Sequence, residues 1–160
     1  MFLQLLSRLF LRTIFQDDEI LLQLSREGGP DDSIGMLDEY IFTIKERKSK
    51  HRVGYVSVRV GESPALYYLG HIGYRIDPPF RGNGYARKAC LLLTPLLKQL
   101  QFSTIVITTD VDNLPSRKTC HNIGCILEHI AKVPPEHIGV CAGSKEKCRY
   151  IWKIQPQFTR

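Results

Sequence analysis

The spacing of hydrophobic and polar residues predicts a chain of short strands interrupted by three helices. Strict alternation is typical of a half-buried strand, and apolar residues three or four positions apart are typical of a helix. The run TIVITT at residues 104–109 is rich in β-branched side chains, as buried strands are. The predicted strands cover residues 9–14, 39–45, 52–60, 68–76, 104–109, 125–133 and 149–154, and the predicted helices cover residues 19–26, 84–101 and 116–123.

Local signals support the ends of the predicted helices. Asp17 or Asp18 is suited to cap the first helix, because an aspartate side chain accepts hydrogen bonds from the free N–H groups of a first turn. Pro95 lies inside the second predicted helix and is expected to kink it or to lengthen one of its hydrogen bonds. Gly124 is a natural C-terminal cap for the third. The order of elements allows few parallel crossovers, so it predicts an α/β (α+β) fold with a mixed sheet and helices on its faces.

The size of the chain is that of a single domain, which we assign to residues 1–160. Its 160 residues are 43% hydrophobic and 24% charged, an ordinary balance for a soluble globular protein. The N-terminal run MFLQLLSRLFLRTIF is interrupted by Arg8 and Arg12 and is shorter than the ~20 residues that a membrane-spanning helix needs. We therefore predict no membrane partner.

The stretch GYRIDPPFRGNGYA at residues 73–86 is the strongest candidate for a binding site. Two glycines, Gly82 and Gly84, lie where a predicted strand ends and a long predicted helix begins. Glycines allow the backbone to turn several N–H groups towards one point, and the helix adds its unpaired first-turn donors and the positive end of its dipole. The stretch therefore predicts a phosphate-binding loop.

The charge and the cysteine content of the chain limit the classes of partner, the compartment and the metal sites that we expect. The formal net charge is +6, which suits a phosphorylated cofactor and would also suit nucleic acid, but the basic residues form no stripe and we predict no nucleic-acid partner. The five cysteines are odd in number and irregularly spaced, which favours reduced thiols and a cytoplasmic location. No C-x-x-C pair accompanies Cys120, His121 and Cys125, so we predict no metal site.

Taken together, these motifs resemble those of the GNAT superfamily of acetyl-CoA-dependent N-acetyltransferases. Arg81, Gly84 and Ala86 match the family signature Arg/Gln-x-x-Gly-x-Gly/Ala between the fourth strand and the third helix. A second element matches downstream, where Asn113-Leu114-Pro115-Ser116 is followed by Gly124-Cys125. Residues 9–12 with Asp17-Asp18 resemble the usual first strand and helix start. The resemblance covers residues 8–154 and is nearest to a branch of bacterial predicted acetyltransferases.

The resemblance implies a fold and a cofactor site. The sheet would have six to seven mostly antiparallel strands, splayed between the fourth and fifth. Asn113 and Ser116 would meet the pantetheine arm of acetyl-CoA, and Arg87 or Lys88 would either reach a phosphate or stay solvated. The backbone would bind the pyrophosphate along Arg81, Gly82, Asn83, Gly84, Tyr85 and Ala86, and the pantetheine along Arg75, Ile76 and Asp77.

The catalytic groups are less well defined by the resemblance. The backbone N–H of Ile76 would stabilise the oxyanion. Many family members carry a tyrosine acid where this chain has Cys120, which is either a weak acid or an apolar filler. Members with a glutamate base carry it where this chain has Gly70, so the neighbouring His71 is a candidate base or a structural residue. Glu62, His121 and Tyr85 are weaker candidates.

Two functions of different class are compatible with these residues. The first is an N-acetyltransferase that uses acetyl-CoA as cosubstrate and a primary amine of a small molecule or protein N-terminus as acceptor, by direct attack. The second is a non-catalytic CoA-binding or regulatory domain, which the departures at Gly70 and Cys120 keep open. The acceptor, the length of the acyl group and the oligomeric state, a homodimer included, are not encoded in any motif of the chain.

Overall fold

The computed structural model describes residues 13–155, which form eight strands and four α-helices. Two short 3-10 turns cover Pro78–Phe80 and Pro135–His137. The strands are β1 (Ile14–Gln16), β2 (Ile20–Gly28), β3 (Asp38–Glu46), β4 (Arg52–Val60), β5 (Ile72–Ile76), β6 (Thr104–Asp110), β7 (Ile126–Lys132) and β8 (Glu146–Lys153). The helices are α1 (Pro64–Leu69), α2 (Tyr85–Leu92), α3 (Thr94–Gln99) and α4 (Leu114–Asn122).

The strands form two sheets. The first has five strands in the order β1-β2-β3-β4-β5, and the second has three in the order β6-β8-β7. Every neighbouring pair is antiparallel. This arrangement confirms the predicted α/β class and its mostly antiparallel sheet. The predicted splay between the fourth and fifth strands is the boundary between the two sheets, since these strands are β5 and β6 here.

The predicted helix at residues 19–26 is wrong, because this segment is strand β2. Ile20 and Leu22 are fully buried while Leu21 between them is only half-buried, which is the two-residue period of a strand. The carboxylate of Asp17 accepts hydrogen bonds from the backbone N–H groups of Glu19 and Ile20, both at 2.8 Å. The same capping chemistry that predicted a helix start instead closes the turn between β1 and β2.

The predicted strand at residues 68–76 begins too early, because residues 64–69 form helix α1. The Ser63 hydroxyl accepts a hydrogen bond from Leu66 N at 3.0 Å, and Pro64 occupies the first helical turn. Gly70, with φ of 78°, ends the helix in a conformation that favours glycine. The serine–proline pair therefore begins a helix, with Ser63 as its cap and Pro64 as its first residue.

The long helix predicted over residues 84–101 is divided into α2 and α3. Pro95 lies in the first turn of α3, so this proline marks the start of a second helix rather than a kink within a single one. The predicted strands at 104–109, 125–133 and 149–154 and the helix at 116–123 correspond to β6, β7, β8 and α4. Of the predicted first strand, residues 9–12 lie outside the described part of the chain, and β1 begins at Ile14.

The core lies between the inward faces of both sheets and the helices α2, α3 and α4. Alternate residues of β3 and β4 are buried on this side, and the helices contribute apolar and cysteine side chains. Fully buried members include Phe42, Ile44, Val56, Val58, Cys90, Leu93, Leu96, Leu97, Ile105 and Cys120. No helix within residues 13–155 is long and apolar enough to cross a bilayer.

Candidate cofactor cleft between the two sheets

The cleft begins where the two sheets part, next to His71. The backbone N–H of His71 donates to the carbonyl oxygen of Val106 at 2.8 Å. The N–H of Val106 donates to the imidazole Nδ1 of His71 at 3.0 Å rather than to a backbone carbonyl of β5. β5 and β6 belong to different sheets, so the two strands part beyond this contact, and the space between them is the candidate cleft.

One edge of the cleft is the backbone of β5. Asp77 N donates to Val53 O and Arg59 N donates to His71 O, so the odd-numbered residues of β5 direct their backbone groups to β4. Backbone groups alternate in direction along an antiparallel strand, which turns the N–H groups of Tyr74 and Ile76 towards β6 and the cleft. The same alternation turns the carbonyl oxygen of Ile76 away from β4, and this oxygen accepts a hydrogen bond from the guanidinium Nε of Arg81 at 3.0 Å.

The glycine loop lies at the end of the same strand. Gly82 and Gly84 have φ of 85° and 72°, and a Cβ built on either residue would meet no heavy atom within 4 Å. Gly84 immediately precedes α2, whose first residue is Tyr85. The side-chain amide of Asn83 donates to Phe80 O at 3.0 Å and braces the loop. Exposed backbone N–H groups at a helix start, with open space before them, fit a phosphate group.

The N-terminus of α4 forms the other side of the cleft. The side-chain Oδ1 of Asn113 accepts a hydrogen bond from Ser116 N at 3.1 Å and caps this helix. The Ser116 hydroxyl donates to the Tyr74 hydroxyl oxygen at 2.8 Å, which joins α4 to β5. Burial raises the pKa of Tyr74, and the nearby Cys120 adds to this effect. The contact with Tyr74 was not predicted, since nothing in its local sequence distinguishes it from a core aromatic.

Cys120 lies in the core below this contact rather than in the cleft. Its side chain is fully buried. Its hydrogen bond with Cys125 and its burial raise the pKa of the Cys120 thiol, while the interaction with Tyr74 works in the opposite direction. A buried thiol with a raised pKa is a poor proton donor, so the geometry favours the apolar-filler interpretation.

His71 is similarly committed to protein contacts. Its Nδ1 accepts from Val106 N, and its Nε2 lies 3.0 Å from a carboxylate oxygen of Glu62. The residue is 4% exposed and its ring packs against Phe102. Neither ring nitrogen is available to take a proton from an amine, so the geometry favours a structural role over a base.

Several charged side chains around the glycine loop are bonded to other parts of the protein. Lys88 Nζ lies 2.7 Å from Glu19, and this hydrogen bond raises the pKa of Lys88. Arg87 Nε donates to Asn122 O at 3.3 Å. Asp77 pairs with Arg52 at 3.4 Å. Of the predicted cleft residues, Arg75 is exposed on β5. The ion pair with Glu19 holds the Lys88 side chain at the turn between β1 and β2.

The described part of the chain has no group of three or more histidine, cysteine, aspartate or glutamate side chains arranged to hold a metal ion. All five cysteines lie in this part, and each is buried as a free thiol.

Comparison with known proteins places this cleft in a familiar fold. Residues 25–126 match the family model described as an acetyltransferase (GNAT) domain. A comparison with curated protein sequences gave no significant match.

Several solved structures share the fold at low sequence identity. A ribosomal-protein-S5-alanine acetyltransferase from Vibrio fischeri is 14% identical, with a TM-score of 0.65 over 90% of this chain and 98% of that one. RimJ of Mycobacterium smegmatis, in complex with CoA-disulfide, is 20% identical, with a TM-score of 0.55 over 72% and 53%. The microcin C7 self-immunity acetyltransferase MccE, in complex with acetyl-CoA and AMP, is 24% identical, with a TM-score of 0.55 over 72% and 61%.

Proposed function

The chain belongs to the GNAT family of acetyl-CoA-dependent acetyltransferases, and from this premise we propose that it acetylates a primary amine of a small molecule or of a protein N-terminus. The observation that carries the proposal is the position of the glycine loop at one end of the β5 edge. The loop offers backbone N–H groups to a pyrophosphate, and β5 offers the backbone of Tyr74 and Ile76 to an extended pantetheine arm. The two features together offer backbone hydrogen-bond partners to the pyrophosphate and to the pantetheine arm of CoA.

The proposed binding residues follow the path of the cofactor. Arg81, Gly82, Asn83, Gly84, Tyr85 and Ala86 would hold the pyrophosphate, and Asn113 and Ser116 would lie on the opposite side of the pantetheine. Of the residues predicted for the pantetheine, Ile76 directs its backbone to the cleft, whereas the backbone groups of Arg75 and Asp77 face β4; Tyr74 supplies the second position instead. Charge-assisted hydrogen bonds contribute roughly 1.5–3 kcal/mol each, so a few of them support micromolar binding. The Arg81 side chain has a separate task, since it fixes the loop to Ile76 O.

In the proposed reaction, the neutral amine attacks the thioester carbonyl carbon and the C–S bond breaks. The acetyl group is transferred to nitrogen, the CoA thiolate leaves, and the proton of the amine passes to solvent or to the thiolate. The N–H of Ile76, directed into the cleft, is suited to stabilise the oxyanion of the tetrahedral intermediate. An alkylamine with a pKa of ~10.4 is neutral in only about one molecule per 10³ at neutral pH, so the acceptor must lose a proton before it attacks.

Acid and base residues contribute little to this proposal. His71 and Cys120 remain candidates from the sequence, but their contacts favour structural roles. Catalysis would then depend on positioning, which can lower a barrier by roughly 7–11 kcal/mol. The same contacts favour the alternative, a non-catalytic CoA-binding domain, which an activity measurement separates from the enzyme.

The test is release of free CoA from acetyl-CoA, followed with a thiol reagent across a panel of amines. The panel includes polyamines, amino acids and peptides with a free N-terminal alanine, the last because one structural neighbour is a ribosomal-protein-S5-alanine acetyltransferase. The matched control for each peptide is its N-acetylated form, which has no amine to modify. Release that needs the free amine supports the enzyme, tight CoA binding without release supports the alternative, and the absence of CoA binding overturns both.

A cytoplasmic location and the absence of nucleic-acid and membrane partners remain part of the proposal. Five buried, unpaired thiols support a reducing compartment.

A further inference from the structure

The segment Leu69–His71, where helix α1 ends and the chain enters β5, is hydrogen-bonded to β6. His71 N donates to Val106 O at 2.8 Å, and Val106 N donates to His71 Nδ1 at 3.0 Å. Two residues further along β6, the Thr108 hydroxyl donates to Leu69 O at 3.0 Å. The groups of β6 nearest to β5 are thus bonded to the segment before β5.

Gly70 makes this close approach sterically feasible. A Cβ on this residue would lie 3.1 Å from both Thr108 N and Val106 O, and the residue has φ of 78°. Both the space and the backbone conformation favour glycine. The segment therefore fits tightly against β6 and fixes the distance at which the two sheets begin to part.

The imidazole of His71 supplies the central contact. Because Nδ1 accepts the Val106 N–H, the ring hydrogen of His71 is assigned to Nε2, which donates to the Glu62 carboxylate at 3.0 Å. A side-chain acceptor satisfies the N–H that would otherwise pair with a carbonyl of β5. A buried N–H without an acceptor lowers the stability of the fold, so the hydrogen bond to Nδ1 favours this position of β6.

We propose that His71 is a positioning residue that sets the width of the cofactor cleft by holding Val106 of β6 on its Nδ1. It acts through the backbone of β5 and β6 and does not contact the reacting atoms. The inference rests on the proposed function, since it takes the cleft to be the site of CoA. It replaces the role of base that the sequence suggested for the same residue.

The test compares two substitutions that differ in one acceptor. In His71→Asn the side-chain oxygen takes the place of Nδ1 and can still accept from Val106 N. In His71→Gln the amide reaches towards the place of Nε2 and leaves Val106 N without its acceptor. Calorimetric titration with CoA is expected to give a dissociation constant within about threefold of wild type for H71N and weakened about tenfold or more for H71Q.

Glu62→Gln is the matched control for the other side of the ring. The Glu62 side chain is 85% exposed, so its charge is largely screened, and a glutamine can still accept from Nε2. CoA affinity close to wild type is expected for E62Q. A loss in E62Q equal to that in H71Q would overturn the proposal, because the effect would then come from the orientation of the ring as a whole.

Thr108→Val provides a test that leaves His71 in place. It removes the hydroxyl bond to Leu69 O while it keeps a β-branched side chain in β6. We expect CoA binding to weaken by about threefold to tenfold with a small change in melting temperature. This variant keeps the proposal testable if H71Q does not fold.

The outcomes separate this proposal from the function it rests on. If wild-type protein does not bind CoA, the proposed function fails. If wild type binds CoA and H71N and H71Q bind it equally well, or T108V binds as wild type does, the positioning role fails while the function stands. A fall in melting temperature without a change in the dissociation constant would also overturn it, since the role would be structural alone.

Discussion

Gly84 combines a positive φ of 72° with open space where a side chain would begin, a combination that it shares with Gly82. A substitution here changes the proposed phosphate site with little effect on the core. We expect Gly84→Asp to weaken CoA binding about tenfold or more, because its carboxylate would face the pyrophosphate. Calorimetric titration of the folded variant with CoA measures the change.

Gly84→Asn is the matched control for this substitution. Asparagine and aspartate are similar in size, and both tolerate a left-handed backbone. The difference between the two variants therefore reports the charge rather than the strain. Equal affinities of G84D and wild type for CoA would show that the loop does not hold the pyrophosphate.

At this scale the sequence was informative about backbone sites and weak on side chains. Gly82 and Gly84 were predictable because their requirement for positive φ is a local property. The side-chain contacts were not predictable, because each joins residues at least 35 positions apart and no local pattern encodes such a pair. They are the contacts of His71 with Val106, of Ser116 with Tyr74 and of Lys88 with Glu19.

Among the elements, β2 offers the sharpest comparison, because adjacent leucines differ in burial. Leu22 is fully buried and Leu21 is half-buried on the opposite face. We expect Leu22→Ala to lower the free energy of unfolding by about 2–5 kcal/mol and Leu21→Ala by ~1 kcal/mol or less. Urea denaturation of both variants measures the difference. Equal losses would contradict the two-residue period of the strand.

The helix predicted in place of β2 shows the limit of reading short apolar runs. ILLQL satisfies both a helical and a strand pattern, and Asp17 before it suits a helix cap or a turn. Tertiary pairing decided the outcome, since β2 lies between β1 and β3. By contrast, the β-branched residues of β6 and the glycine after α4 point to a single structure, and both elements were predicted.

For the molecule as a whole, the cleft between two sheets predicts how a ligand affects stability. A ligand that binds both sides of the cleft stabilises the folded state alone. CoA at a hundredfold excess over its dissociation constant should add about 2.7 kcal/mol and raise the melting temperature by about 5–10 °C. Differential scanning calorimetry with and without CoA measures the shift. No shift in wild type at this excess would contradict binding in the cleft, and a G84D variant should show a smaller one at the same CoA concentration.

The strand order of the second sheet has a consequence for co-translational folding. In the order β6-β8-β7, the central strand is the last to be made, and β6 and β7 pair with it rather than with each other. The five-stranded sheet can assemble while synthesis continues, but the second wall of the cleft must wait until residue 153 has left the exit tunnel. Until then the side of β6 that pairs with β8 has no partner strand, and the nascent chain depends on late, long-range pairing to become competent for its cofactor.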